Sequence, residues 1–326
     1  MIATNKAEKQ EQVFREIFKE YLPENLKNNI AHLDTMLDFY FKVILNSFNV
    51  TFTNQFQAEM SHTVQMMFTK AKSFRVLLDG VSHTAGSESL INLVDHTVLF
   101  TIARSAYEQL LSFELVYVIP DTEEKRIVMK NAYIAASAVN RLSIAKSNPS
   151  MKNAELGKTD KAIIQECKQI IENTSLYQSL PVEKTNGSIT KSEFEEIVFR
   201  KGKYQFVFDN NDNTVKSAGW DNIRNQCNLS SDILNGLYKY LCNMAHPSYM
   251  ALVQFMNAYT DDNNYHMCDY SIMVMNIILS VFIMDYMEVF PKTKSVFESQ
   301  DEDTQFKIRT YCDYLRGKYQ KNLQSK

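Results

Sequence analysis

Two polar signals are set into segments that are otherwise apolar. Arg104-Ser-Ala-Tyr-Glu108 interrupts the run from Val94 to Ile119, and Tyr238-Lys-Tyr-Leu-Cys-Asn-Met-Ala-His246-Pro247 lies far downstream. Unpaired charge in a packed interior is expensive, so an arginine and a glutamate in such a run must find partners or mark a site. Four residues apart, they share one face of a helix, in the Arg-before-Glu order that supports a helix less well than the reverse. An internal ion pair that fixes packing is one account of them. The other is that Glu108 holds the guanidinium fork toward a cavity, where it can grip a carboxylate or phosphate.

His246 has its own local logic. A residue before proline is pushed out of the helical region, so His246 is the last residue of its helix or lies just beyond it. The carbonyl end of a helix favours an imidazolium there. Leu234, Leu237, Leu241 and Ala245 form a core stripe, whereas Asn235, Lys239, Cys242, Asn243 and His246 line a more polar adjoining face. A helix-terminal histidine satisfied by backbone carbonyls fits this pattern. So does a histidine placed beside Lys239 and an asparagine for acid-base chemistry.

Metal readings are weaker. Cys242-x-x-x-His246 puts two ligand types one turn apart, and His266-x-Cys268 could complete a zinc set, but the second spacing does not suit one helical face. Glu59-x-x-His62 is half of a di-iron bundle motif whose second half the chain lacks. Neither G-x-S-x-G nor a glycine-rich nucleotide loop is present. No metal and no cofactor are therefore expected.

The elements that must carry these residues read as helices. Eight glycines and six prolines in 326 residues are too few for the turns of a strand-rich fold, and 15 Met, 20 Phe and 17 Tyr suit a core of long side chains. Apolar spacings of three and four predict helices over Gln10–Tyr21, Glu24–Phe48, Gln55–Val81 and Leu90–Ile119. A fifth is capped by Pro120-Asp121 and runs to about Lys146, and a sixth covers Asp160–Thr174. Leu99, Ile102 and Phe113 lie opposite Arg104, while Phe100, Leu111 and Leu115 share its side, which predicts a helix central to the bundle.

Residues 176–230 turn polar, with a short helix over Lys191–Phe199 and a small hairpin near Tyr204–Val215, the only place where strand is expected. The bundle resumes over Ser231–His246, Tyr249–Tyr259, Tyr265–Phe290 and Asp303–Asn322. The expectation is an all-α multi-helix bundle, a single helical domain over 1–326. Residues 1–175 supply its N-terminal helices, 176–230 a polar, partly irregular insertion or cap, and 231–326 its C-terminal helices.

A net charge of −3 gives no global attraction to nucleic acid or anionic lipid. The apolar run Ser271–Met284 is shorter than a bilayer span and predicts a buried helix, so no membrane partner is expected. The N-terminus lacks a signal-type apolar stretch, and five irregularly spaced cysteines suit reduced thiols, hence a cytoplasmic location.

Trp220, Tyr238 through His246-Pro247-Ser248 and the Arg104-x-x-x-Glu108 helix together resemble a group of uncharacterised bacterial helical proteins with a C-terminal Tyr-rich helix ending in His-Pro. These are distantly similar to the HEPN superfamily of helical bundles, many of them metal-independent ribonucleases of toxin and phage-defence systems. The superfamily motif is an arginine followed after four to six residues by histidine. Counting back from His246 gives Leu241, Tyr240 and Lys239, so a lysine stands at the longest spacing in place of the arginine. The resemblance implies His246 as general acid or base, Arg104 and Lys239 as phosphate stabilisers and Glu108 as the orienter of Arg104, with RNA as partner and a homodimer as assembly. The competing expectation is a non-catalytic sensor or scaffold subunit that binds a protein partner. A joint site requires the Arg104 helix to pack beside the helix that ends at His246, with the cluster open to water.

Overall fold

The computed structural model describes residues 26–48, 55–148, 150, 154–184, 188–209, 214–229, 236–257 and 263–316. The expected helix Gln10–Tyr21 lies outside the described residues. So do the first residues of Ser231–His246, Tyr259, and the end of Asp303–Asn322. The fold is all-α in class: 76% of it is helical, and the strands are few and short. In chain order the helices are α1 Leu26–Phe48, α2 Gln55–Leu77, α3 His96–Phe113, α4 Glu123–Ser147, α5 Ala154–Glu172, α6 Ser175–Gln178, α7 Lys191–Glu195, α8 Trp220–Gln226, α9 Leu237–Ala245, α10 Tyr249–Asn257, α11 Asn263–Val289, α12 Lys294–Glu298 and α13 Glu302–Leu315. Strands β1 Val81–Ala85 and β2 Glu88–Leu93 form one antiparallel hairpin, and β3 Phe206–Phe208 and β4 Val215–Ser217 another.

The chain divides into two compact units, one made of the residues up to Leu110 together with those from Asn228 on, the other of Leu111–Cys227. These limits differ from the boundaries expected at 175/176 and 230/231. Residues 176–227 share a unit with α4 and α5, and their own apolar side chains Phe194, Phe206, Phe208, Val215 and Ile223 are buried in it.

In the first unit α11 is the core. From Ile272 to Ile283 nearly every side chain is buried, against α1, α2 and α13 among others. The Tyr40 hydroxyl of α1 donates to the Leu279 carbonyl at 2.6 Å, and Asn29 donates to the buried Asp269 carboxylate at 2.6 Å. Residues 266–289 are long and apolar enough to cross a bilayer, yet 83% of their apolar window is buried inside the protein. Burial on all sides is what an all-round apolar helix is for.

Strand is not confined to the region near Tyr204. Residues expected to end one helix at Val81 and begin the next at Leu90 instead form the β1–β2 hairpin. Ala85 pairs with Glu88, leaving Gly86-Ser87 as a two-residue turn, and Gly86 at φ +62° supplies the positive dihedral that such a turn demands. That dipeptide was the available signal.

Three aromatics, Phe100 buried and two tyrosines half-buried, fix α9 beside α3. Phe100 of α3 meets Tyr240 of α9 edge-on at 5.4 Å between centroids and Tyr270 of α11 at 6.1 Å, while Tyr240 and Tyr270 are 5.6 Å apart. Such contacts add to plain area burial because ring edge meets ring face. The expected central position of α3 needs correction: Val98, Thr101 and Ser105 form an exposed stripe, so α3 presents one face to solvent.

The second unit rests on α4 packed against α5. Thr122, not Asp121, caps α4, its hydroxyl accepting from the Lys125 amide at 3.3 Å, with Glu123 and Glu124 in the first turn. Alanines 132, 135, 136 and 138 are buried and allow close approach. Arg141 grips the buried Asp160 of α5 at 2.6 Å and 3.1 Å. Thr190 and Glu193 form a capping box on α7, which continues as a wider π turn over Glu196–Arg200.

Candidate functional site

α3 and α9 bring together three of the four residues singled out from the sequence. Arg104 Nε donates to Glu108 Oε1 at 3.1 Å, the four-residue spacing on one face accounting for the pair. Arg104 Nη1 donates to His246 Nε2 at 3.0 Å, across 142 positions of chain. The arginine side chain keeps 23% of its surface exposed and Glu108 keeps 32%, while His246 is exposed, so the cluster is open to water.

Local chemistry sets His246 at this point. Pro247 excludes it from the helical region, and it adopts φ −99° and ψ 154° as the C-cap of α9 while its amide still donates to the Cys242 carbonyl at 3.1 Å. Ser248 then starts α10: its hydroxyl donates to the Asn243 carbonyl at 2.7 Å and accepts from the Ala251 amide at 3.1 Å. His-Pro-Ser is thus a stop and a start written in three residues.

Lys239, expected as a phosphate stabiliser, is exposed on α9, and the position against Arg104 is taken by its neighbour Tyr238. The guanidinium carbon lies 5.7 Å from the Tyr238 ring centroid, and the Tyr238 hydroxyl donates to Glu108 Oε1 at 3.0 Å. Sequence reading passed over Tyr238 as a site residue. Its signal is the spacing Tyr238, Cys242, His246, one helical turn apart each time.

Electrostatics follow from these contacts. Partial burial works against the Arg104 charge, but Glu108, with Tyr238 and Cys242, more than offsets it and holds the guanidinium above its ordinary pKa. Burial, then the hydrogen bonds with Cys242 and Glu108, push the Tyr238 phenol up to about 12. A guanidinium has donors only, so in this contact Nε2 of His246 is the accepting atom.

A lysine not foreseen from the sequence lies on the facing helix. Lys70 of α2 donates to the Ser105 carbonyl at 3.0 Å, and burial lowers its pKa against the raising effect of Glu108. Lys70, Thr69 and Ser73 of α2 with Thr101, Ile102 and Ser105 of α3 line a shallow groove of about 280 Å³.

The residues weighed for metals are differently placed. Cys242 is partly exposed and Cys268 is buried, and among the described residues no three His, Cys, Asp or Glu side chains gather as a metal set. His62 bonds through Nδ1 to the Ala58 carbonyl of its own helix at 2.7 Å.

Residues 61–265 match the model of a family of unknown function, DUF5677. The chain belongs to that family. The match covers well over half of the chain and contains Arg104, Glu108, Tyr238 and His246 along with Lys70. No curated protein and no solved structure shows significant similarity to it.

Proposed function

We propose that this DUF5677 chain is a metal-independent ribonuclease of the HEPN-like kind, with its site at Arg104, Glu108, Tyr238 and His246. The observation that carries the reading is the solvent-accessible contact of Arg104 Nη1 with His246 Nε2 at 3.0 Å. RNA brings its own nucleophile, the 2′-hydroxyl, so the protein needs only a base, an acid and a positive charge aimed at the phosphate.

Arriving phosphate takes the guanidinium fork, which frees His246 Nε2 to receive the 2′-hydroxyl proton. The 2′-oxygen bonds to phosphorus, the 5′-oxygen bond breaks, and the proton passes from the imidazole to the leaving oxygen. The products are a 2′,3′-cyclic phosphate and a 5′-hydroxyl. Glu108 and Tyr238 act as positioning residues, since Glu108 holds Arg104 Nε and Tyr238 holds Glu108, which leaves the terminal nitrogens for His246 and the phosphate. Lys239, exposed on α9, serves as an outer phosphate contact.

The test is incubation of the purified chain with single-stranded RNA in excess chelator. Cleavage to cyclic-phosphate ends that His246→Ala and Arg104→Met each abolish, with unchanged melting, supports the reading. Absence of cleavage by the parent chain, or cleavage that survives His246→Ala, overturns it. Growth arrest on expression, relieved by His246→Ala, would extend it to a toxin or defence role.

A second reading, a scaffold that binds a protein partner, is favoured by one feature. Tyr249, Leu252 and Met256 form an exposed apolar stripe on α10, 82%, 54% and 59% accessible. Under that reading Leu252→Glu abolishes the interaction and His246→Ala does not.

A further inference from the structure

The Leu111–Cys227 unit contains a pocket that shares no residue with the Arg104 site. Its volume is about 400 Å³, and it is lined by Ile197, Lys201, Lys203, Gln205, Ser217, Gly219 and Trp220 among others. That volume is within the range of roughly 300–1,000 Å³ typical of small-molecule sites. The lining residues differ in chemistry: Trp220 supplies an indole, Lys201 and Lys203 ammonium groups, and Gln205 and Ser217 an amide and a hydroxyl.

The wall is held rigidly by backbone bonds. The π turn Glu196–Arg200 closes with the Lys201 amide on the Glu196 carbonyl at 2.9 Å and the Lys203 amide on the Ile197 carbonyl at 2.9 Å. Such turns recur at functional sites. Gly202, between the two lysines, has φ +60°, and a Cβ there would fall 2.7 Å from Asn140 Oδ1, whose amide nitrogen donates back to the Gly202 carbonyl at 2.9 Å. Lys201 and Lys203 are therefore presented from a turn pinned to α4. On the opposite side the Ala218 amide donates to the Gln205 carbonyl at 3.0 Å, fixing the approach to Trp220.

The two lysines are not equally committed. Lys201 makes a loose ion pair with Glu196 at 3.7 Å, while the Lys203 side chain is exposed, with no ion pair among the described residues. Two lysines and an indole around a cavity of this size suit a ligand that joins an aromatic ring to an anionic group. Ring stacking on indole tolerates any base, whereas the phosphate is held by charge.

We propose that this pocket binds a nucleotide, its base against Trp220 and its phosphate between Lys201 and Lys203. The same chemistry is offered by a free mononucleotide and by one residue of a single-stranded RNA. The proposal stands apart from ribonuclease activity and does not require it.

Trp220 is the one tryptophan of the chain, so its fluorescence reports on this pocket alone. Titration with AMP and, separately, with a single-stranded oligoribonucleotide, on the catalytically silent His246→Ala protein, is followed by fluorescence and by calorimetry. Saturable quenching by AMP assigns the site to free nucleotides. Saturation by the oligonucleotide alone assigns it to a strand. Adenosine and inorganic phosphate should each bind at least about tenfold more weakly than AMP, because each satisfies only one wall.

Two variants separate binding from folding. Lys201→Gln with Lys203→Gln keeps the reporter and should weaken AMP at least about tenfold. Gly219→Leu fills the cavity, since a Cβ there meets nothing within 4 Å and the backbone at φ −88° accepts any residue. No heat and no quenching with either ligand, or affinity unchanged in both variants, overturns the proposal.

Discussion

Arg104 Nη1 and His246 Nε2 are 3.0 Å apart, a contact in which the arginine donates and the imidazole nitrogen accepts. Because the guanidinium can only donate, an imidazolium in this place would set two cations against each other. Under the proposed mechanism, a phosphate that draws the arginine away would free this nitrogen to act as the base.

This relationship gives the first prediction. Nitrogen-detected NMR of the imidazole should show His246 as the Nδ1–H tautomer, and Arg104→Met should return it to a mixture. Arg104→Lys keeps the charge but loses the planar fork, and cleavage should fall by roughly 100-fold. An unchanged rate in Arg104→Lys would leave the fork without a role.

Packing decides whether the contact exists at all. Phe100→Ala removes the ring that both Tyr240 and Tyr270 pack against and should cost about 3 kcal/mol in urea unfolding. It should also release the His246 tautomer, because α9 loses its register against α3. Lost stability with an intact tautomer signal would show that other contacts hold α9.

In the other unit, Arg141→Met leaves the carboxylate of Asp160, 2% exposed, buried without its guanidinium. The arginine itself is 45% exposed, so solvent screens part of the effect and the expected loss is about 2 kcal/mol. Arg141→Met combined with Asp160→Leu should recover most of it. A double variant as unstable as the single one would mean that the pair does more than neutralise a buried charge.

Stability against pH should carry two opposed contributions. Burial, then Lys307, lowers His32 from 6.5 to about 4 against the opposing pull of Asp303. The unfolded chain then binds the extra proton, and stability is lost as pH falls between those values. Burial raises Asp269 from 3.8 to about 6, against the Asn29 hydrogen bond and His266. Here the folded state binds the extra proton, so the contribution is full below the lower value and lost as pH rises through the higher one. Asp269→Asn should therefore gain on the order of 2 kcal/mol at pH 7 and nothing at pH 3.5, and it should unmask the acid loss due to His32. Urea midpoints measured across that range check both signs.

Self-association remains an expectation drawn from helical bundles of the resembled kind. Sedimentation of the full chain should show a dimer, and a monomer at high concentration would remove the homodimer expected from the resemblance.

Local order was legible wherever a short stretch contains its own cause. The helices follow from three- and four-residue apolar spacing, His246 leaves its helix because Pro247 follows, and α11 is buried because it is apolar all round. The β1–β2 hairpin was missed because β1 is exposed throughout and carries no core-facing alternation, so Gly86-Ser87 was its one mark. The central placement of α3 failed for a related reason: Val98, Thr101 and Ser105 are tolerable on a buried or an open face, and only neighbours decide which.

By itself the sequence determined that Arg104 and Glu108 share a face and that His246 ends a helix, since both are consequences of backbone geometry within one turn. Tertiary structure decided that Arg104 reaches His246, that Tyr238 rather than Lys239 lies against the guanidinium, and that Lys70 joins the neighbourhood from α2. The reason is physical: helix periodicity reports which side chains point together along one axis. How two axes separated by more than a hundred residues are rotated against each other is set by the rings of Phe100, Tyr240 and Tyr270 meeting in three dimensions.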